Sequence, residues 1–252
     1  MSNHYHLVLK LNPAQTKLWS DMEIAKRWQH IFKGPLLIQK YARQEALLPA
    51  EIETIKSILA VYSRRLGDLS WFMKCLNEPI ARKANSEDGV TGHFWEARFS
   101  SQALLTDSAL LTCMAYVDLN PIRAGIATIP EESPHTSICE RRREEWPLHR
   151  TIIKVVEDQN LTGFDLPIKP LLAFRESNRT IGEECLPISF LDYTELVNWT
   201  GRSVVTDKRG AIRAHTESVL KRLNISKGQW LTNATRFESH HRLKSAMVSI
   251  KK

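Results

Sequence analysis

No run in this sequence stays apolar for the ~20 residues that a bilayer-spanning helix needs, so a helical membrane protein is not expected. Nor does the start resemble a secretory signal, because His4 and His6 interrupt the single early apolar stretch; the cytoplasm is the expected compartment. The four cysteines (Cys75, Cys113, Cys139 and Cys185) form no CxxC pair, which argues against a zinc ribbon and against a disulfide framework. Reduced thiols are expected, with Cys75 and Cys113 in helical patterns that would bury them. Internal repeats and low-complexity tracts are absent as well, which speaks against a solenoid or a repetitive linker.

What is present is the composition of a folded protein. At 252 residues, 42% hydrophobic and 25% charged, the chain can bury a sizeable core in one large domain or two small ones. A net charge of +7 points to an acidic partner, and its distribution narrows the region: residues 1–128 carry +3, 129–200 carry −5 and 201–252 carry +9. The carboxy-terminal stretch is the basic element, with Trp230, His240 and His241 interleaved among its cations. Such a stretch reads either as a phosphate-contacting surface or as an ordinary solvated helical face.

Apolar spacing divides the chain into helices and two alternating stretches. His4 to Lys10 alternates and ends at Asn12-Pro13, a strand followed by a turn. Ser20 with Glu23 forms a capping-box pattern that opens a helix to about Phe32. Gly34-Pro35 breaks it, and a second helical pattern runs through Tyr41. Pro49 starts a third, with Ile52, Ile55, Leu59 and Tyr62 at helical spacing up to Gly67. Asp68 caps the amphipathic LSWFMKCLNEPIARKAN, and after the SEDGVTG turn HFWEARFSS alternates as a strand does. Thr106 or Asp107 caps SALLTCMAYVDLNPIRAG, which Gly125 closes. Beyond Pro130 the pattern loosens: IPEESP and LPIKP read as linkers, DYTELVNW and RAHTESVLKRL as helices, with a boundary near 128–134.

Two short patterns carry chemistry. On a strand, residues i and i+2 share a face, so His4 and His6 present two imidazoles together while Tyr5 turns to the opposite layer. Two imidazoles and an oxygen donor hold a divalent ion and leave room for a substrate oxygen, although HxH alone is a common coincidence. The oxygen donor lies in AYVDLNPIRAG, where Tyr116 and Asn120 are four apart and share a helix face. Asn120 offers a carbonyl oxygen. Tyr116 offers a phenol that attacks as a nucleophile once deprotonated, although most helical tyrosines are amphipathic core residues. Pro121 removes a helix hydrogen bond, which costs about 3 kcal/mol in an ordinary interior, and a local rule broken there marks an expected functional constraint. Asp118 faces elsewhere, as a structural or solvent-facing group and only a reserve ligand. Arg123, one turn past Asn120, is a candidate phosphate contact, although a helix carboxy terminus attracts arginine anyway.

HYH, LSWFMKCLNEPIARKAN, GHFWEARFSSQALL and CMAYVDLNPIRAG together resemble the single-tyrosine HUH transposases, most of all the REP-associated and related transposase-like proteins. The resemblance covers about residues 1–128, and a weaker likeness continues through LDYTELVNWTGR and KRLNISKGQWL. It implies that His4 and His6 are metal-binding histidines, Asn120 the third ligand of an Mg²⁺ or Mn²⁺ ion, and Tyr116 the nucleophile. The fold implied is α+β, an antiparallel sheet with packed helices of the ferredoxin-like kind, in residues 1–128. That domain would carry a helical insertion at about 13–67 and precede a mostly helical region at 129–252. The activity implied is cleavage and rejoining of single-stranded DNA through a 5′-phosphotyrosine. The partner is a hairpin-forming DNA, contacted by Arg98, Arg123 and the basic tail, and the protein is a homodimer or a monomer.

Members of that family carry a strand and a helix before the HUH strand, whereas here Met1 stands three residues before His4. The chain is accordingly expected to be amino-terminally incomplete, and weakly active or inactive. The alternative function is therefore a truncated or domesticated derivative that only binds DNA hairpins. A third class, an HxH metallohydrolase, is disfavoured because the helix-dominated stretch 13–90 supplies no further His and Asp ligands on barrel strands.

Overall fold

A computed structural model of the chain describes residues 5–130, 133, 136–142, 171–175, 184–205 and 214–237. The chain divides into two compact units, one centred on Leu9–Ser101 and a discontinuous one drawn from Met1–Val8, Gln102–Lys154 and Ile168–Lys252.

In the Leu9–Ser101 unit a 3-10 turn at Gln15–Leu18 precedes four helices: α1 (Asp21–Gln29), α2 (Leu36–Ala42), α3 (Pro49–Leu66) and α4 (Leu69–Glu87). Their starts are set by side chains that satisfy otherwise orphaned first-turn N–H groups. The Ser20 hydroxyl accepts from the Glu23 N–H at 3.3 Å and Asp68 Oδ1 from the Trp71 N–H at 2.7 Å. At α3, Pro49 fills the first turn and Glu51 reaches back to the Leu48 N–H at 2.8 Å. Gly34 turns the chain between α1 and α2 with φ +70°, a left-handed conformation that a side chain disfavours. The spacing of Ile24, Ala25 and Trp28 on α1 and of Ile55, Leu59 and Tyr62 on α3 forms two apolar stripes, which close with Ile38 into one core. Within it the Trp28 and Tyr62 rings stack with centroids 3.7 Å apart and planes 6° apart.

The discontinuous unit contains α5 (Asp107–Asp118), α6 (Asn120–Arg123), α7 (Ser137–Arg142), α8 (Phe190–Val205), α9 (Ala214–Arg222) and α10 (Lys227–Thr235). Thr106 caps α5 by accepting the Ala109 N–H at 3.1 Å. Pro121 has the effect its chemistry dictates: α5 stops at Asp118, a new short helix begins at Asn120, and Gly125 ends it at φ +69°. Leu111, Met114, Ala115 and Leu119 share a core with Ile138, Tyr193, Leu196, Val197, Val219, Leu220 and Trp230. Residues on both sides of 128–134 thus build a single core. Inside it Asp118 has no exposed surface, and its carboxylate accepts the Tyr193 hydroxyl at 2.5 Å and the Ser137 hydroxyl at 2.9 Å. Burial raises the Asp118 carboxyl above its ordinary value, opposed by those two hydrogen bonds, one from the Ile138 backbone, and the charge of Arg141.

The expected antiparallel sheet is absent: among the described residues there is no strand, only an isolated parallel bridge between Phe174 and Leu186. Both alternating stretches, Tyr5–Lys10 and His93–Ser101, are irregular. Alternation gives a segment two faces, but a strand exists only where a neighbour takes its N–H and C=O groups. The second stretch is fastened to α4 by side chains instead. Trp95 Nε1 donates to the Asn77 carbonyl at 3.0 Å, and the Asn85 amide donates to the Gly92 carbonyl at 3.0 Å. Helical packing is therefore the architecture of the described chain, and no described helix is long and apolar enough to cross a membrane.

Two stability outcomes follow from these cores. Trp28→Ala is expected to cost about 3–5 kcal/mol through the cavity it leaves, whereas Phe72→Ala, at an exposed position, stays within about 0.5 kcal/mol; urea denaturation reads both. Tyr193→Phe removes a donor from a buried carboxylate and is expected to cost about 1–3 kcal/mol near neutral pH. Because the folded pKa of Asp118 is raised, the native state binds more protons than the unfolded one between the two pKa values. The Asp118 contribution is present below that window and is lost as pH rises through the folded pKa. The variant weakens the ionised form specifically, so the cost of Tyr193→Phe shrinks as pH falls toward about 4. Denaturation midpoints across this range check it, and a pH-independent difference contradicts it.

Candidate functional site

Tyr116 stands in the last turn of α5, two residues before the buried Asp118. With Asp118 directed to Tyr193, the tyrosine lies on another side of the helix, where three groups meet its ring. The His6 ring is edge-on to it, with centroids 5.6 Å apart and planes at 77°. Phe237, just beyond α10, lies 5.7 Å away at 39°. The Arg123 guanidinium sits 3.9 Å over the ring face, a cation–π contact of about 0.5–2 kcal/mol.

Arg123 on α6 is seven residues after Tyr116 and shares its helical face. Its Nη2 donates to the Tyr116 carbonyl at 3.3 Å and Nη1 to the Thr235 carbonyl at 2.8 Å. One side chain thus covers the phenol ring, caps the end of α5 and ties it to α10. Tyr116 retains 8% of its surface, and so does Asn120 on α6. Little of the tyrosine is open to a polymeric substrate while Phe237 and Arg123 stand against it.

The sequence-derived residues are distributed as follows. His6, Tyr116, Asn120 and Arg123 belong to one unit, and His6 reaches Tyr116 directly. His4 lies outside the described residues, as do His240 and His241. Arg98 belongs to the Leu9–Ser101 unit and is exposed. Arg123, read from sequence as a phosphate contact, spends its guanidinium on Thr235 and Tyr116. Trp230 is a core residue with no exposed surface, its Nε1 donating to the Thr200 hydroxyl at 2.9 Å, so it offers no platform for a base. Asp118 is structural, with both carboxylate oxygens engaged. The thiols are free, with Cys75 and Cys113 half-buried and Cys139 fully buried.

Among the described residues no three His, Cys, Asp or Glu side chains gather as a metal cluster. The expected donor set is of another composition, and the described part of it is the His6 imidazole and the Asn120 amide oxygen. An imidazole suits Zn, Cu, Fe or Ni and an amide oxygen suits Mg or Mn, so these two donors by themselves do not select one metal. Phe237 and Thr235 had no signal in the sequence, because their role arises from where α10 packs. No protein-family model, no curated protein and no solved structure matches the chain.

Proposed function

We propose that this chain cleaves and rejoins single-stranded DNA at hairpin-forming ends through a covalent adduct on Tyr116, with Mg²⁺ or Mn²⁺ as cofactor. The observation that supports this reading is the contact between the His6 and Tyr116 rings, which brings an imidazole from the start of the chain to the candidate nucleophile. Asn120 follows four residues later in the same unit. His6 and Asn120, together with His4, would hold the ion, which supplies Lewis-acid polarisation of a scissile phosphate.

The chain's own residues do the rest by positioning. The Tyr116 oxygen attacks phosphorus in line. Its new bond to phosphorus forms as the bond to the 3′-oxygen breaks, the phenol proton leaves to solvent and the 3′-oxygen takes one up. The products are a 5′-phosphotyrosine and a free 3′-hydroxyl. The adduct conserves the phosphodiester energy, so attack by a second 3′-hydroxyl reverses the step and joins strands without ATP. Arg98 is the proposed phosphate contact outside this unit; Arg123 joins it only on releasing Thr235.

A second reading, a protein that binds DNA hairpins without cutting them, is favoured by the closure around Tyr116, which leaves it 8% exposed. One experiment separates the two. A labelled single-stranded hairpin from the DNA flanking the gene is incubated with the chain and Mn²⁺, then resolved under denaturing conditions. The expected result, in keeping with weak activity, is a low yield of protein–DNA adduct that disappears in Tyr116→Phe and with chelator. In Asn120→Ala it falls by at least the roughly 10–100-fold that losing even an outer-shell partner of a metal site costs. A hairpin shifted in a native gel with no adduct in any condition overturns the cleavage reading in favour of the second.

A further inference from the structure

The two helices that close the described chain form a unit whose outer face the Tyr116 chemistry does not use. α9 and α10 are nine residues each and are joined by Leu223–Ser226. Asn224 takes φ +52°, the Ile225 N–H returns to the Leu220 carbonyl at 3.1 Å and the Asn224 N–H to the Lys221 carbonyl at 3.0 Å. This is a Schellman closure with asparagine at the left-handed position. Ser226 then opens α10 at once: its hydroxyl accepts the Gln229 N–H at 3.3 Å, and Gln229 Oε1 accepts the Ser226 N–H at 3.2 Å. Val219, Leu220, Trp230 and Ala234 are buried in one core, with Leu223 and Ile225 packed on it. A short, hydrogen-bonded turn between two helices fixed by their inner faces builds a helical hairpin of the class that includes the helix-turn-helix.

The outward positions of α10 have a definite chemistry. Gly228, Gln229, Thr232 and Arg236 are exposed and recur at helical spacing on one stripe. Helix α10 has no Asp or Glu and α9 has one, Glu217, while Lys221, Arg222, Lys227 and Arg236 supply cations; of these, Arg222 is paired with Asp192 at 2.9 Å and Lys221 with Glu217 at 3.6 Å. Gly228 is the telling residue. A side-chain carbon built there meets nothing within 4 Å, and its backbone is not among those with positive φ. Neither strain nor packing among the described residues requires glycine at this first-turn position of α10, and the bare backbone there leaves room for close approach from outside.

We infer that the α9–α10 pair docks on double-stranded DNA, with α10 in the major groove, Thr232, Arg236 and the Gln229 amide N–H toward base edges while Gln229 Oε1 keeps the cap, and Lys227 and, on releasing Glu217, Lys221 toward phosphates. An amide, a hydroxyl and a guanidinium are the side-chain groups that read base edges there. A single strand calls for exposed aromatic platforms, and Trp230, the one aromatic of α10, is turned into the core. Duplex RNA has a major groove too deep and narrow for a helix. This inference goes beyond the Tyr116 reading and stands if that reading fails, because it concerns binding to a duplex and involves no cleavage.

The test uses the full chain in chelator, so that no cleavage intervenes, and fluorescence anisotropy with a labelled mixed-sequence DNA duplex of roughly two helical turns. The matching single strand and an RNA duplex of the same sequence serve as competitors. Duplex DNA is expected to bind tightest, with affinity falling steeply as salt rises. Gly228→Ala is expected to keep or raise the thermal midpoint while weakening duplex binding several-fold, opposite signs that a merely structural glycine does not give. Thr232→Glu weakens binding by about 10-fold or more, and Lys221→Ala lowers the salt slope by about 1. Unchanged duplex affinity in both Gly228→Ala and Thr232→Glu overturns the inference, as does equal or tighter binding of the single strand or the RNA duplex.

Discussion

The buried carboxylate of Asp118 is the constraint from which the rest of the discontinuous unit follows. An ionisable group with no exposed surface is tolerated only when its hydrogen bonds are met, and Asp118 receives hydroxyls from Ser137 on α7 and Tyr193 on α8. Those bonds set which way the end of α5 faces. With Asp118 committed to the core, Tyr116 emerges on a different side of the helix, toward His6, Arg123 and Phe237. The raised pKa of Asp118 is the electrostatic cost of using a carboxylate as the pin.

Arg123 completes the site that this pin orients. It stands seven residues after Tyr116 on the same helical face, and its guanidinium lies over the Tyr116 ring and donates to the Thr235 carbonyl. Helix α10 thereby has two faces with separate consequences. Its end, with Thr235 and Phe237, closes over the candidate nucleophile, and its outer stripe carries Gly228, Gln229, Thr232 and Arg236, the face proposed to meet a duplex. The Arg123–Thr235 hydrogen bond, the Phe237–Tyr116 contact and the shared core join α10 to the site.

Much of this was legible in the sequence wherever the signal was local. Ser20, Pro49, Asp68, Thr106 and Gly125 mark helix ends within a residue or two because capping chemistry is decided by the next few residues. The alternating stretches around His6 and Phe94 misled, since alternation specifies two faces but not the partner that makes a strand. Trp230 read as an aromatic in a basic tail, and its burial against Thr200 depends on α8, thirty residues earlier. Asp118 was legible as facing away from Tyr116, but its partner Tyr193 is set by tertiary packing. The site combines both kinds: the four-residue spacing of Tyr116 and Asn120 is local, while the cover of Arg123, Thr235 and Phe237 is not.

The central claim is that Tyr116 is the atom donor in a covalent DNA adduct. The most direct measurement is peptide mapping by mass spectrometry after the chain has reacted with a hairpin and Mn²⁺ and the DNA has been digested by nuclease. The account predicts a nucleotide remnant on the peptide that contains Tyr116, fragmenting to place the mass on that residue. A remnant on another residue, or no remnant on any peptide while the hairpin remains bound, contradicts it.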